Sequence, residues 1–455
     1  MIEERPFQYV PAGITTNPCS FVAVKYQDNT RHPGLWKRVK FAGLITSWYP
    51  DRTLYEGANT NRVSGVGDVD YDEILLTGPS SHPEILEAAG FRYGMASPVH
   101  TSKEAETRRN KSAKIFSDSG GFQLLTGAKD FIDPLELAEY YNRAVDLGIG
   151  LDIPVFGNND LLQRMCKIML KNNKILRREL KPEVTVYEVS HGSTLKTRKE
   201  FLDTLLKEKE LSNALAVGGI AQNYKDGGFS TTLVSGAINL MYVLHRTRKI
   251  FRQYHILGTT SGFFQAVYWL VQRHGLVTHI TADSTTWVRQ SINNLIILDR
   301  LEKPARVETA VIPKTERTHL LPCSCPACYI TKYALAYNRN SRINQIHSLY
   351  ALAAHGARIE QMVDEYYAGK LTLTELASLV SNRQHAPIVT AIFKFCIDVA
   401  TTSFKAAYEK HYATLSHLTR GNKVSLFGGD LEKGKDPVVR KRLLDVLERY
   451  EKYHK

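Results

Sequence analysis

Two aspartates that directly follow short apolar runs are the residues of this chain with the clearest chemical meaning. Asp118 lies in SDSGGFQ and Asp283 lies in TADSTTW. Two carboxylates that face each other across a cleft can divide a double displacement between them, one as the nucleophile and the other as the general acid/base. The pair therefore predicts transfer at a glycosyl carbon, and a sugar-cleaving enzyme is one reading of it.

The residues after Asp118 supply the parts of a pocket for a planar base. They combine a hydroxyl, two glycines that permit close backbone approach, an aromatic ring and an amide, in the order Ser119, Gly120, Gly121, Phe122 and Gln123. The same sequence is also typical of a helix N-cap in a tight loop. The second aspartate, at an equivalent position in its own segment, favours the pocket.

Three cysteines form a compact cluster near residue 325. Cys323, Cys325 and Cys328 lie in PCSCPACYI, and His347 or His355 on the following helix can complete a set of four ligands. Zinc binds Cys3His sets tetrahedrally, and a site with four protein ligands has no open position for substrate. The cluster therefore predicts a structural zinc ion, with three buried cysteines as the alternative.

The chemically interesting residues lie where apolar runs end. The runs are FAGLITS (41–47), EILLTG (73–78), KIFSDSGG (114–121), GIGLDIP (148–154), VTVYEVSHG (184–192), LAVGG (215–219), YHILGT (254–259) and THITADS (278–284). They read as buried parallel strands, and segments with helical spacing lie between them at 134–148, 160–180, 197–210 and 231–251.

This alternation predicts an α/β protein, and about eight units favour a TIM (β/α)8 barrel, whose active site lies at the carboxyl ends of the strands. A doubly wound open sheet also alternates, but no G-x-G-x-x-G follows the first predicted strand. After the cysteines the pattern becomes helical, with a long helix at 343–369 and a threonine-capped helix at 372–380. The predicted domains are a catalytic barrel (1–320), an inserted zinc-binding subdomain (321–360) and a helical C-terminal region (361–455).

The charge balance favours a polyanionic partner. The chain of 455 residues has 59 Lys and Arg against 46 Asp and Glu, a net charge of +13. Clusters of basic residues can track phosphates or form solvated helix faces; they are Lys37-Arg38-Lys40, Arg108-Arg109-Lys111, Lys196-Arg198-Lys199, Arg246-Arg248-Lys249 and Arg440 with Arg442. The N-terminus lacks the apolar core of a secretion signal and no apolar run approaches the ~18 residues that span a bilayer. We therefore expect an intracellular, cytoplasmic protein that does not enter a membrane.

In order and approximate spacing, SDSGGFQ, LDIP, LAVGG, ADS and CSCPAC with the later IHSLY resemble the tRNA-guanine transglycosylases. The likeness covers roughly residues 40–350. It implies a zinc-bearing TIM barrel that exchanges a guanine in a nucleic acid for a 7-deazaguanine base without breaking the phosphate backbone. It also favours His347, in IHSLY, over His355 as the zinc histidine.

The resemblance implies a role for each matching residue. Asp283 would attack C1′ and form a covalent glycosyl-enzyme intermediate, while Asp118 would protonate the departing guanine and later deprotonate the incoming base. Asp152 would accept hydrogen bonds from the guanine-type edge, and Phe122 would stack on the base. The target nucleotide must leave its stack to reach this pocket, so base flipping is implied.

Two departures from the family pattern bear on the base that is used. His191-Gly192 stands where the family has glutamine and glycine, so an imidazole would bond the base carbonyl. The segment 213–219 ends in Gly218-Gly219 and lacks the acid that supports binding of a cationic aminomethyl group, which favours the neutral 7-cyano-7-deazaguanine. Leu215 belongs to the same pocket segment.

The C-terminal region bears on which nucleic acid is modified. A helical tail in place of strand-rich RNA-binding domains resembles the DpdA-type DNA-guanine transglycosylases. The first hypothesis is therefore a DNA-guanine transglycosylase, the second a tRNA-guanine transglycosylase of the archaeosine or queuosine type, and the third a non-catalytic nucleic-acid-binding accessory subunit. A DNA-opening helicase is a candidate partner, and the resemblance implies a homodimer.

Overall fold

The computed structural model describes residues 7–11, 22–27, 35–39, 73–76, 93–98, 114–154, 158–192, 194–220, 229–284, 295–298, 308–311, 341–381, 384–419 and 437–455. These ranges form an α/β fold in which a parallel sheet, flanked by helices, is nearly closed into a TIM-like barrel.

The strands of the described residues fall into one large sheet and two small ones. In chain order they are β1 (Phe7–Pro11), β2 (Val22–Gln27), β3 (Leu35–Val39), β4 (Glu73–Leu76), β5 (Tyr93–Ala96), β6 (Lys114–Ser117), β7 (Leu147–Ile149), β8 (Thr185–Ser190), β9 (Ala214–Val217), β10 (Gln253–Ile256), β11 (His279–Ser284), β12 (Leu295–Leu298) and β13 (Glu308–Val311).

The large sheet has eight strands in the order β1-β11-β10-β9-β8-β7-β6-β5, and every pairing is parallel. Its first strand in the chain thus pairs with its last, and β1 also contacts β5 at the other edge. Because neighbouring parallel strands run in one direction, their carboxyl ends meet at one rim of the barrel. The residues that follow the strands are thereby brought to that rim.

Six of the predicted parallel strands, from KIFSDSGG to THITADS, are confirmed. The prediction for EILLTG is wrong in its pairing, because β4 runs antiparallel to β2 in the three-stranded sheet β3-β2-β4. An apolar run does not by itself specify the direction of its neighbour, which depends on a partner distant in sequence. FAGLITS (41–47) lies outside the described residues. The strands β1 and β5 were not recognised, since β1 carries a proline and β5 is only four residues with a glycine.

The helices of the described residues are α1 (Gly121–Thr126), α2 (Pro134–Ala144), α3 (Leu162–Glu179), α4 (Leu195–Leu205), α5 (Phe229–Thr247), α6 (Gly262–Arg273), α7 (Ser341–Tyr367), α8 (Leu373–Val380), α9 (Ala386–Thr401), α10 (Phe404–Thr419) and α11 (Pro437–Tyr453). The four helices predicted between the strands correspond to α2 to α5. The long helix is α7. Thr372 caps α8, as the sequence predicted, and the structure shows that it forms a capping box with Glu375.

The C-terminal helices pack on the barrel. Helix α9 contacts α5 and α6, and α11 contacts α1 and α3. The rings of Phe263 on α6 and Phe393 on α9 are stacked with centroids 5.8 Å apart. One hydrophobic core therefore includes barrel residues such as Val217 and tail residues such as Leu447. Burial of apolar surface stabilises a fold by about 25 cal/mol per Å², so the packing of the C-terminal helices on the barrel stabilises both parts. The boundaries at 320 and 360 stay predictions.

Candidate active site

Strand register aligns the candidate residues at the carboxyl-terminal rim. Ser190, Val217, Ile256 and Ala282 are successive partners across β8, β9, β10 and β11. The residues just beyond them therefore form one row, which contains His191, Gly218, Leu257 and Asp283, and Gly258 lies one residue further along the chain. Asp118 follows β6 directly, and its carboxyl group is close enough to those of Asp283 and Asp152 for both to affect its pKa. The structure thus brings together the three aspartates that the sequence singled out.

Asp118 has the most perturbed carboxyl group of the rim. Its pKa is raised to about 7, chiefly by burial and to a smaller extent by the carboxylates of Asp283 and Asp152. Hydrogen bonds from Ser97 and from the backbone N–H of Gly120 act in the opposite direction. A carboxyl group with this pKa can both donate and accept a proton near neutral pH, as a general acid/base must.

The two glycines after Asp118 allow its loop to pack against the loop that follows β7. A side chain at Gly121 would overlap the backbone carbonyl of Asp152. Gly120 is the N-cap of α1 with a φ of 77°, and Oδ1 of Asp118 accepts its backbone N–H at 2.9 Å. Ser119 is buried and its hydroxyl accepts the N–H of Asp152 at 2.9 Å. The segment therefore acts both as a tight helix cap and as the support that fixes Asp152.

Asp152 is paired with a histidine. The imidazole Nε2 of His191 contacts Oδ1 of Asp152, while His191 is buried and the Asp152 side chain is 21% exposed. A side chain at Gly218 would overlap the ring of His191, so a glycine is needed there to accommodate the imidazole. The Nε2 atom of His191 is therefore directed at Asp152. A hydrogen bond from His191 to a base carbonyl stays a prediction.

A buried arginine holds the loops that follow β8 and β9. The guanidinium of Arg198 donates to the carbonyls of Ser190 at 2.9 Å, Gly192 at 2.5 Å and Gly218 at 2.7 Å. Arg198 was predicted to track phosphates or to lie on a solvated helix face, and both predictions are wrong for this residue because its side chain is fully buried.

The missed signal for Arg198 was its position on the apolar face of α4. It stands three, four and seven residues before Phe201, Leu202 and Leu205, which are all buried. Gly192 has a φ of 138° and packs against the backbone of Arg198, so it shapes the same turn.

Asp283 is the second residue from the end of β11, and its side chain is 12% exposed. The backbone N–H of Gly258 donates to its Oδ1 at 2.7 Å. The Nε2 of His255, on β10, lies 3.4 Å from the same oxygen. Among the described residues, both polar contacts of this carboxyl group engage Oδ1.

The other predicted pocket residues divide into two groups. Phe122 is 52% exposed at the start of α1, and the buried amide oxygen of Gln123 has no hydrogen-bond donor among the described residues. Gly219, with a φ of 72°, follows Gly218 at the rim. Leu215 lies apart from these, because it is fully buried inside β9, three residues and roughly 10 Å before the rim.

Two basic positions on α11 fasten this helix to the barrel. Arg440 pairs with Asp160 at 2.7 Å, and Arg442 donates to the carbonyl of Leu125 at 3.0 Å. Both were predicted to track phosphates or to lie on a solvated helix face, and in the structure both side chains bind groups of the barrel. The side chains of Lys37 to Lys40 and of Arg108 to Lys111 lie outside the described residues.

The predicted zinc ligands Cys323, Cys325 and Cys328 and the side chain of His347 also lie outside the described residues, so the zinc site stays a prediction. Within the described ranges, no group of three or more His, Cys, Asp or Glu is arranged to hold a metal ion.

Neither a protein-family model nor a curated protein matches this chain. In the part of the chain that the structure describes, no helix is both long and apolar enough to cross a membrane.

Proposed function

We propose that this protein is a DNA-guanine transglycosylase, which exchanges a guanine in DNA for a 7-deazaguanine base, 7-cyano-7-deazaguanine by preference. The observation that carries the proposal is the cluster of Asp118, Asp152 and Asp283 at one rim of the barrel, with the pKa of Asp118 raised to about 7. This arrangement supplies a carboxyl group with a raised pKa as the acid/base, a second carboxyl group that can act as the nucleophile, and a third that can read a base.

In the first half of the reaction, a carboxylate oxygen of Asp283 forms a bond to C1′ of the target nucleotide. The bond between C1′ and the base nitrogen breaks, and its electron pair leaves with the guanine. Asp118, protonated because burial raises its pKa, transfers its proton to the departing base. The products are a covalent glycosyl-enzyme intermediate and neutral guanine, and the phosphate backbone is untouched.

In the second half, the Asp118 carboxylate removes the proton from the glycosyl-accepting nitrogen of the incoming base. That nitrogen attacks C1′, the bond to Asp283 breaks, and the electron pair returns to the carboxylate. Asp118 is then protonated again for the next cycle. A group whose pKa is near the working pH can donate a proton in the first half and accept one in the second without a large free-energy cost for either transfer.

Base recognition falls to groups on the loops after β6 and β7. The Asp152 carboxylate accepts from the N–H donors of a guanine-type edge, which adenine does not present. His191 holds Asp152 in place, and the amide oxygen of Gln123 is a further acceptor. The ring of Phe122 offers a stacking surface for a base that has left its duplex.

The remaining parts of the proposal concern stability and partners. Cys323, Cys325, Cys328 and His347 would hold a structural zinc ion, and the complete architecture would be a (β/α)8 barrel with that subdomain inserted. The net charge of +13 suits a nucleic-acid partner. DNA is favoured over tRNA because the described C-terminal elements are helical, with a homodimer and a DNA-opening helicase as further candidate partners.

The deciding experiment is mass spectrometry of nucleosides after the protein and 7-cyano-7-deazaguanine are incubated separately with duplex DNA, single-stranded DNA and tRNA. We expect the deazaguanine deoxynucleoside from DNA and nothing from tRNA. Asp283→Ala should abolish the product, whereas Asp203→Asn, which alters an exposed ion pair with Arg246, should retain it.

Incorporation into tRNA alone would replace the proposal by the tRNA enzyme. An Asp283→Ala variant that stays active would refute the mechanism, and no incorporation into any substrate would favour the accessory-subunit hypothesis.

A further inference from the structure

A fully buried histidine lies beside the proposed nucleophile. His255 on β10 has no exposed surface, and its Nε2 is 3.4 Å from Oδ1 of Asp283. The ring stacks on Phe116 with centroids 4.8 Å apart and meets the edge of Tyr187. Packing on two neighbouring aromatic rings fixes the direction in which Nε2 points.

The other ring nitrogen of His255 is already occupied. Its Nδ1 lies 2.8 Å from the hydroxyl of Thr281, which also reaches the carbonyl of Tyr254 at 3.2 Å. A hydroxyl carries one proton, so Thr281 can donate to the Tyr254 carbonyl and accept from a protonated Nδ1. When Nδ1 is unprotonated, Thr281 donates to it at the shorter distance of 2.8 Å in place of the carbonyl at 3.2 Å. The Nε2 atom has no hydrogen-bond partner of good geometry among the described residues, and the carboxylate oxygen is the polar atom that it faces.

We infer that His255 carries a proton on Nε2 and directs it at Oδ1 of Asp283, as a positioning residue for the nucleophile. A bare nitrogen lone pair that faces a carboxylate oxygen in a buried site would be repulsive, and a proton between the two atoms makes the contact favourable. The separation of 3.4 Å is long for a hydrogen bond, and such contacts often shorten when substrate binds.

No other charged group competes for this proton among the described residues that pack on the ring. Tyr187 on β8 has a pKa raised well above its ordinary value by burial, so its phenol is neutral, and it donates to Gln253 at 2.9 Å. Asp118, beyond β6, is itself held partly protonated by burial. Asp283 on β11 is the carboxylate that Nε2 faces.

The consequence, which rests on the proposed function, is that the two oxygens of Asp283 have different tasks. Oδ1 receives the N–H of Gly258 and that of His255, which leaves Oδ2 to form the bond to C1′. In the intermediate, Oδ1 becomes the ester carbonyl oxygen and keeps both donors. When the ester bond to C1′ breaks, the same donors stabilise the charge that returns to the carboxylate.

The first test is independent of activity. Nitrogen NMR of the full-length protein, labelled with 15N in its histidines and assigned with His255→Gln, reports which ring nitrogens are protonated. We expect a protonated Nε2 in His255 and a clear change of its signal in Asp283→Asn. A ring protonated on Nδ1 alone, or a signal that does not respond to Asp283→Asn, would overturn the inference.

The second test uses the exchange reaction. His255→Phe keeps the ring packing and removes the donor, so we expect covalent intermediate to form 10- to 100-fold more slowly while KM for 7-cyano-7-deazaguanine changes less than threefold. His255→Gln, whose amide can donate from a similar position, should recover at least a third of the lost rate. His411→Phe, which breaks a remote pair with Asp398 at 2.6 Å, is the matched control and should leave the rate unchanged.

The outcomes separate the two proposals. A protonated Nε2 that responds to Asp283→Asn in a protein with no exchange activity would uphold the contact and reject the proposed function. Exchange activity that is equal in wild type, His255→Phe and His255→Gln would uphold the function and reject the positioning role.

Discussion

A side chain at Gly121 would overlap the backbone carbonyl of Asp152, because α1 begins directly against the loop that follows β7. The loop carrying the proposed acid/base and the loop carrying the proposed base reader are thereby packed on each other. Ser119 strengthens this contact through its bond to the N–H of Asp152. The separation between two functional carboxylates is thus set by backbone packing rather than by their own side chains.

Gly121→Ala should abolish base exchange, because backbone atoms cannot move aside as a flexible side chain can. We expect binding of guanine, measured by calorimetry, to weaken at least tenfold as Asp152 is displaced. Gly356→Ala is the control, since a methyl group there meets only Gln265 at an ordinary distance of 3.4 Å and a helical alanine is favoured over glycine by about 1 kcal/mol. If Gly121→Ala binds guanine as the wild type does, the close packing of the two loops is not needed.

Asp118→Asn should stabilise the folded protein at pH 8 while it abolishes exchange. The pKa of Asp118 is raised to about 7 from 3.8, so the folded state binds more protons than the unfolded state between those values. Stability contributed by this group therefore falls as pH rises through that window and stays low above it. Each tenfold change in proton affinity corresponds to about 1.4 kcal/mol of folding free energy. Because residual exposure of Asp118 reduces this effect, we expect Asp118→Asn to raise the free energy of unfolding at pH 8 by on the order of 1–2 kcal/mol.

Denaturant unfolding of Asp118→Asn and the wild type at pH 4.0 and pH 8.0 checks this prediction, and we expect the variant to be more stable only at the higher pH. Asp203→Asn, at an exposed ion pair, should show no such dependence. An equal effect of Asp118→Asn at both pH values would mean that its carboxyl group ionises normally.

Arg198→Met should destabilise the fold and leave the salt dependence of nucleic-acid binding unchanged. The substitution removes a donor from three carbonyls. That of Ser190 still accepts the N–H of Gly218 at 3.0 Å, whereas those of Gly192 and Gly218 lose their arginine donor, and each buried group left unsatisfied costs about 1–3 kcal/mol. We expect a loss on the order of 3 kcal/mol or more in urea unfolding. Lys199→Met, on the exposed face of the same helix, should barely alter stability. A reduced salt slope for Arg198→Met alone would restore the phosphate-contact role that its burial contradicts.

His191→Phe should weaken guanine binding, because Asp152 loses the group that holds its Oδ1. A hydrogen bond to a charged group contributes about 1.5–3 kcal/mol, which corresponds to a loss of roughly 10- to 100-fold in affinity. His274→Phe, at the end of α6 and remote from the rim, is the control. Calorimetric titration with guanine gives the comparison, and equal affinities would show that Asp152 needs no support from His191.

Removal of the predicted zinc ion should lower thermal stability without a direct effect on the rim carboxylates. We expect about one zinc per chain by elemental analysis, a lower Tm with a chelator, and loss of the metal in Cys323→Ser. Cys166→Ala, which alters a buried thiol in the barrel core, should keep its metal. Full metal content in Cys323→Ser would remove this residue from the ligand set.

The sequence by itself determined the local elements and the residue types at the rim. Alternating apolar and helical segments predicted β6 to β11 and the helices between them, because burial on both faces of a parallel strand leaves a direct imprint on local composition. Thr372 indicated the start of its helix as a capping residue, and helix capping is also a local interaction. Asp118, Asp152 and Asp283 were recognisable because each stands at or just after the end of such a strand.

Tertiary structure alone decided which strands pair and which groups are buried. The closing partner of β11 is β1, from the other end of the barrel sequence, and β4 joins β2 instead of the large sheet. Whether Arg198 meets solvent or three carbonyls, and whether Asp118 keeps its ordinary pKa, depends on segments far apart in the chain. Helical spacing places Arg198 on the apolar face of α4, but neither the carbonyls that it meets nor the pKa of Asp118 follows from a local pattern, because both depend on such distant neighbours.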